Sequence, residues 1–418
     1  MQVQAETLQE AVQSALVTHP SVESAQQALK IAKAQKSEEF SGYFPEVFVS
    51  AAAGRMYGDN ATSRGLSVTR GSGYSNLGEG SITVSQLIFD GLETPNRVEA
   101  AEVRKMSAGM NVVNVKESLA FGAVNAYVNV LRSRKALGLI AEHAALVNDY
   151  LGRIKVMVEE GASDETELQQ ARDIQVILNG IKADFEGQVL SAEATFAEVV
   201  GYIPPPNLSV PPGMQNLLDE DVSQAVNNAL NSHPSILAAQ LQTKAASHDV
   251  DAQQGTLYPD FNGELSYLKS DKEDILGGEI VDARALVRMS WNFSTGGEQL
   301  AAIRRTKHSH KESLARLNEL ERRIERDVRL AYSELMTSSR QVDLFQQRRA
   351  LNEKLFAAYQ SQFEGARINL LQLMQAHNQL FNTNLELLNG QYRYLAAQYG
   401  VLASMGRLQE VMGTVQTP

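Results

Sequence analysis

Apolar and polar residues follow two different periods along this chain, and the change from one to the other happens twice. From Ala283 to Phe293 every odd position is apolar, while the even positions include Arg284, Arg288, Ser290 and Asn292. Period two over about 11 residues predicts a β-strand of the length that crosses a bilayer, with one face to lipid and the other to water. Phe261 to Tyr267, with Glu264 among its polar positions, repeats the pattern. Pro45 to Tyr57 and Ser81 to Phe89 are less strict, although Ile82, Val84 and Ile88 share one face. For any one such segment alone, a half-exposed soluble sheet is the better reading. Four of them, with Phe44, Phe48, Phe89, Tyr258, Phe261, Trp291 and Phe293 gathered where strands meet helices, favour a membrane sheet with an interfacial aromatic belt. Val287, Met289 and Trp291 are then expected to face lipid, and Glu264, Arg284, Arg288 and Asn292 a water-filled lumen. Four strands cannot close a barrel in lipid, so several chains would have to supply one together.

The second period is helical. Leu314, Leu317, Ile324, Val328, Ala331, Leu335, Val342 and Phe345 recur at steps of three and four, with lapses at Glu321 and Ser338. This is the seam of a coiled coil. No proline occurs between Pro95 and Pro204 or after Pro259 until Pro418. Long helices are expected over about Glu93 to Val158 and Glu298 to Phe363, each on the order of 100 Å at 1.5 Å per residue. Gly161 and Gly365 interrupt them, and a left-handed glycine at each site suits a tight turn into returning helices, Glu165 to Val200 and Leu370 to Gln398.

The two halves are copies. His19-Pro20-Ser21 followed by Tyr43-Phe44-Pro45 returns, at identical spacing, as His233-Pro234-Ser235 and Leu257-Tyr258-Pro259. Each copy then gives a strand pair, ending in Phe89-Asp90-Gly91 or Phe293-Ser294-Thr295-Gly296-Gly297, and a helical hairpin. The expected division is a first repeat over 1–203, a proline-rich linker over 204–221, a second repeat over 222–398 and a C-terminal segment over 399–418.

Charge and composition narrow the chemistry. There are 38 Lys+Arg against 49 Asp+Glu in 418 residues, and no basic run to neutralise phosphates, which argues against a nucleic-acid partner. Cysteine is absent, which removes thiolate metal sites, disulfides and any lipidated Cys. No apolar run reaches the ~18 residues of a membrane-spanning helix, and the first residues carry no signal core. An exported precursor would carry its leader ahead of Met1, and a membrane role would rest on the strands. His308 and His310 point to different faces of a helix and read as solvated; His19 and His233, each before a proline suited to a first helical position, read as caps. Asp271, Lys272, Glu273 and Asp274 with Gly277-Gly278 read as a solvated loop rather than a calcium site. With no nucleotide loop, nucleophilic triad or paired-carboxylate motif, neither an enzyme nor a cofactor or metal is expected.

The duplicated halves, the His-Pro-Ser and aromatic-Pro elements, the Phe-Asp-Gly or Phe-Ser-Thr-Gly-Gly strand ends and the glycine-bearing hairpin tips together resemble the TolC family of outer-membrane efflux and secretion channels, over nearly the whole chain. The resemblance implies a mainly α fold with a transmembrane β-barrel: a homotrimer with two structural repeats per chain, in which a barrel of about 12 strands continues into a coiled α-helical barrel. It implies a bacterial outer-membrane location, with the helices in the periplasm docking on a periplasmic adaptor and an inner-membrane transporter. Arg367 matches the arginine that such channels use to hold the periplasmic entrance shut, and Thr166 and Glu167 match the Thr-acid pair it bonds. Gly161, Gly365, Leu371, Gln372 and Met374 belong to the same expected gate. Leu371-Gln372 and Met374-Gln375 stand where the best-known members carry aspartates, which argues against a cation-binding ring, and the tyrosine tied to the latch is not at Gln362, Tyr359 lying nearly a turn earlier. The implied function is the exit duct of a tripartite export system. Absence of a Cys to lipidate leans it towards type I protein secretion with an ABC transporter, against small-molecule or drug efflux. A soluble coiled-coil scaffold without a pore is the alternative of a different class.

Overall fold

The computed structural model describes residues 5–58, 73–219, 221–272, 279–365 and 367–413. In the first repeat, α1 (Leu8–Thr18) and α2 (Pro20–Ser41) lead to β1 (Glu46–Gly58) and β2 (Gly73–Phe89), then to α3 (Glu93–Glu159) and α4 (Glu165–Val200). The second repeat gives α5 (Val222–Ser232), α6 (Pro234–Gly255), β3 (Asp260–Lys272), β4 (Glu279–Ser290), α7 (Glu298–Glu364) and α8 (Leu370–Ser404). A short α9 (Leu408–Val411) follows. The long helices α3 and α7 have 67 residues each. α8 runs past its expected end at Gln398 and stops before Gly406, whose φ of +72° only glycine adopts cheaply.

The repeated His-Pro-Ser element has a local cause. Pro20 and Pro234 open their helices, where the missing N–H is no loss. His19 and His233 stand just before them, and each Nδ1 accepts from the backbone N–H of the serine two residues on, at 3.2 Å, while lying 2.7 Å from its hydroxyl. An imidazole thus does in both copies what an Asn or Ser side chain ordinarily does at a helix start.

Contacts divide the chain into two compact units, and each unit takes segments from both repeats. One comprises Met1–Gln27, Gly109–Leu237 and Asn318–Pro418; the other comprises Ala28–Ala108 and Ala238–Leu317.

In the first unit one apolar cluster joins Leu8 and Val12 of α1, Val124 and Tyr127 of α3, Phe196 of α4, and Tyr399 and Leu402 of α8. The inter-repeat segment lies over it through hydrogen bonds its own sequence requires. Carbonyls of a proline run have no partner in a helix or ladder, and the Arg134 guanidinium reaches those of Pro204, Pro205 and Pro206 while pairing with Glu193 at 2.8 Å. The Tyr127 hydroxyl lies 2.7 and 2.8 Å from the carbonyls of Glu6 and Ser209. Glu117, buried on α3, accepts from the backbone N–H groups of Leu408 and Gln409 and so caps α9; burial nevertheless pushes its carboxyl above the usual range. Along α7, Ile324, Val328 and Val342 of the seam are buried. The lapse at Ser338 is buried too, its hydroxyl turned back onto the Glu334 carbonyl at 2.7 Å.

In the second unit β1-β2-β3-β4 form one antiparallel sheet in that order, so the central ladder, β2 with β3, joins the two repeats. β4 ends three residues sooner than its alternation predicts. Its last partner is Asp260, and the next partner in register would be Pro259, which has no N–H to give. Trp291, Asn292 and Phe293 therefore lie beyond the strand.

Candidate functional site: an apolar sheet face and two hairpin tips

The registers decide which side chains share a face. Val47 pairs with Val84 and Val49 with Ile82; Val84 pairs with Leu265 and Ile82 with Tyr267; Leu265 pairs with Ala285, and Gly263 with Val287. One face of all four strands is thus apolar, and it is also the outward one: Val47 is 64 % exposed, Leu265 59 % and Val287 67 %. The opposite face carries Ser50, Ser81, Thr83, Glu264, Ser266, Arg284 and Arg288. Here the Ser50 and Ser81 hydroxyls meet at 2.8 Å, and Arg288 grips Glu264 through two bonds of 2.7 and 2.8 Å. Arg284 bonds Asp282 on its own strand. Ser270 on this polar face is buried, whereas Arg284 and Arg288 on it are exposed; the large apolar side chains open on the other face are what a water-solvated sheet would turn inward.

Met289 lies on the exposed apolar face as expected of its parity, but two residues assigned to the strand do not belong to it. Trp291 is past the end of β4, its indole N–H donating to the Leu257 carbonyl at 3.1 Å, and Asn292 is in the irregular segment that follows, its carbonyl accepting from Gln299 at 2.8 Å. Both are strand-to-helix junction residues. The loop expected around Glu273, Asp274 and Gly277-Gly278 lies outside the described residues.

At the first hairpin tip α3 ends on Gly161 at φ +75°, with the Ala162 N–H returning to the Met157 carbonyl at 2.7 Å. This is a left-handed glycine cap. Asp164 then caps α4 by accepting from the Glu167 N–H at 2.9 Å. The second tip is built differently. Gly365 is not left-handed, and the turn closes instead on Asn369, whose Oδ1 accepts from the Gln372 N–H at 2.9 Å while Gln372 Oε1 accepts from the Asn369 N–H at 3.2 Å. This capping box gives Gln372 a structural role, and the Asn-x-x-Gln spacing was its signal in the sequence.

Glu167 is held within its own chain by Ser163 and by the Asn369 amide, so one side chain both starts α8 and ties the two tips together. Arg367 and Thr166 are exposed, and among the described residues Arg367 has no ion pair within the chain. Leu371 and Met374 are buried at 5 % and 0 % exposure, in a cluster with Ile154, Leu168 and Leu370. They fill the hairpin core, which corrects their assignment to the expected gate.

The sequence model of the family described as outer membrane efflux protein matches residues 11–202 and 225–407. The chain belongs to this family. It is 29 % identical over 293 residues to the outer membrane efflux protein BepC of Brucella suis and 23 % identical over 271 residues to the protein CyaE of Bordetella pertussis. These stretches cover 68 % and 64 % of the chain and 62 % and 56 % of those proteins, so the chain spans less than two thirds of either relative. The fold matches the outer-membrane channel CmeC of Campylobacter jejuni with a TM-score of 0.82 over 98 % of this chain and 90 % of that one, at 16 % identity. Both repeats of the chain, each a strand pair followed by a helical hairpin, fall within the matched residues.

Proposed function

We propose that three copies of this chain form an exit duct across the bacterial outer membrane. The observation that carries the proposal is the open apolar face shared by four strands, with β1 and β4 at the two edges of the sheet among the described residues. Lipid satisfies such a face, and barrel closure with neighbouring chains satisfies such edges, since each unpaired backbone group in hydrocarbon costs several kcal/mol. Glu264 and Arg288 then line the water-filled side. In detergent the protein should scatter light as a monodisperse trimer. A monomer or dimer soluble without detergent would instead support a scaffold without a pore.

The duct works with a periplasmic adaptor and an energised inner-membrane transporter. One reading of the cargo is type I protein secretion with an ABC transporter. Small-molecule efflux is the second reading, favoured by the name of BepC. Identifying the adaptor and transporter that co-purify with the chain distinguishes the two.

Closure of the duct falls to the hairpin tips. Arg367 and Thr166 are exposed on their own chain and are free to meet a neighbouring protomer, where a guanidinium fork can bond Glu167 and Thr166. Each such exposed pair is worth only about 0.2–1 kcal/mol, but three copies bias one opening. Glu167→Ala combined with Arg367→Ser should raise single-channel conductance in planar bilayers while leaving assembly intact. Unchanged conductance in an assembled double variant would assign closure to residues other than Thr166, Glu167 and Arg367.

A further inference from the structure

Two imidazoles join the hairpins of the first unit and have no part in the channel scheme. His143 is on α3 and His377 on α8, and their Nδ1 atoms are 3.1 Å apart. His143 Nε2 is 3.2 Å from the Asn378 side-chain oxygen, and its ring lies flat on Phe381, with centroids 4.1 Å apart and planes within 6°. Tyr150 of α3 and Phe356 of α7 close on His377. His143 is only 3 % exposed, within a cluster that includes Ile140 and Val147.

These contacts define one neutral proton arrangement. An amide oxygen only accepts, so His143 carries its hydrogen on Nε2 and offers the Nδ1 lone pair; His377 donates to it from Nδ1. A first proton, shared between the two Nδ1 atoms, would place a charge in apolar surroundings, and a second would set two donors against each other at 3.1 Å. No carboxylate stands ready to compensate. Among the described residues the polar groups facing the rings are Tyr150 and Asn378, and α4 brings Leu178, Ile181 and Phe185 to the same cluster. The charged residues of these helices are engaged elsewhere or exposed: Arg153 with Asp149, Lys182 with Glu186, Arg349 with Glu353, while Glu142 and Lys354 face outward.

We propose that the His143–His377 pair is a proton-sensitive joint between the two hairpins: neutral, it ties α3 to α8, and protonated, it releases them. Burial first, and the neighbouring His377 second, hold the His143 ring down at about 4, and burial lowers His377 as well. A ring released to water titrates near 6.5. Above that pH both rings are neutral and the joint holds. Between about 6.5 and 4 the released form takes up protons that the packed form refuses, so His143 alone favours release about thirtyfold more at pH 5 than at pH 7.5.

The test is hydrogen exchange read by mass spectrometry on the full chain in detergent, at pH 7.5 and pH 5.0, corrected for the intrinsic pH dependence of exchange. Peptides spanning Ala136–Val158 and Leu370–Leu385 should lose protection about tenfold or more at pH 5.0, while peptides from Ala120–Leu131 keep theirs. His143→Phe combined with His377→Phe should make the affected peptides insensitive to pH. Equal corrected protection of the wild type at the two pH values overturns the proposal, whether or not the double variant folds, and so does the same loss in a folded double variant.

Discussion

Gly91→Ala should destabilise the sheet-bearing unit by on the order of 3 kcal/mol, because a left-handed backbone and an occupied space both oppose the new methyl group. Gly91 has φ +69°, and a Cβ there would meet Tyr258 at 2.8 Å and press on the Gly255 carbonyl oxygen. Gly255 is equally confined, since its own Cβ would lie 2.9 Å from the Glu93 nitrogen. The end of the first strand pair and the start of the second thus cross with no side chain between them, which explains why glycine follows Phe89-Asp90. Asp90 completes the turn by accepting from the Thr94 N–H at 2.7 Å. Thermal unfolding followed by circular dichroism checks the prediction against Gly54→Ala, whose Cβ would meet nothing within 4 Å. Matching melting temperatures for the two variants would mean that the turn relaxes freely.

Val287→Arg should impair membrane assembly by about 2–4 kcal/mol, the cost of a charge on the lipid face near mid-bilayer, whereas Arg288→Ser should be tolerated. The two residues are neighbours, yet Val287 opens outward and Arg288 turns to Glu264 on the opposite face. Yield of folded trimer from the membrane fraction separates them. Equal losses would contradict the assignment of the apolar face to lipid.

Helix boundaries were legible because they depend on local signals. Pro20 and Pro234 at helix starts and Gly161 at a helix end each act within a few residues, and the periodic runs between them leave little choice. The end of β4 was not legible from its own alternation, which continues to Phe293, because Pro259 on the partner strand stops the ladder. The tips divided in the same way. Asn369 could have been found from its spacing to Gln372, but its bond to Glu167 joins residues 202 positions apart, and no local pattern announces such a contact. His143 and His377 are separated by 234 positions, and each reads alone as one more polar residue on a long helix. Leu371 and Met374 were misjudged because an apolar side chain at a tip looks the same in sequence whether it points into a channel or into the hairpin core.

The interleaving of the repeats bears on how the chain acquires its structure. Both compact units draw on both halves of the sequence, and the β2–β3 ladder closes only between residues nearly two hundred positions apart, Leu77 with Lys272 among them. Neither unit can finish while only the first repeat has been made. Until β3 arrives, β2 presents an unpaired edge and an apolar face to whatever surrounds it, so the nascent chain passes through a stage that demands shielding from its own kind. Duplication gave this protein two similar halves, and the strand exchange at the centre of its sheet has since made them unable to part.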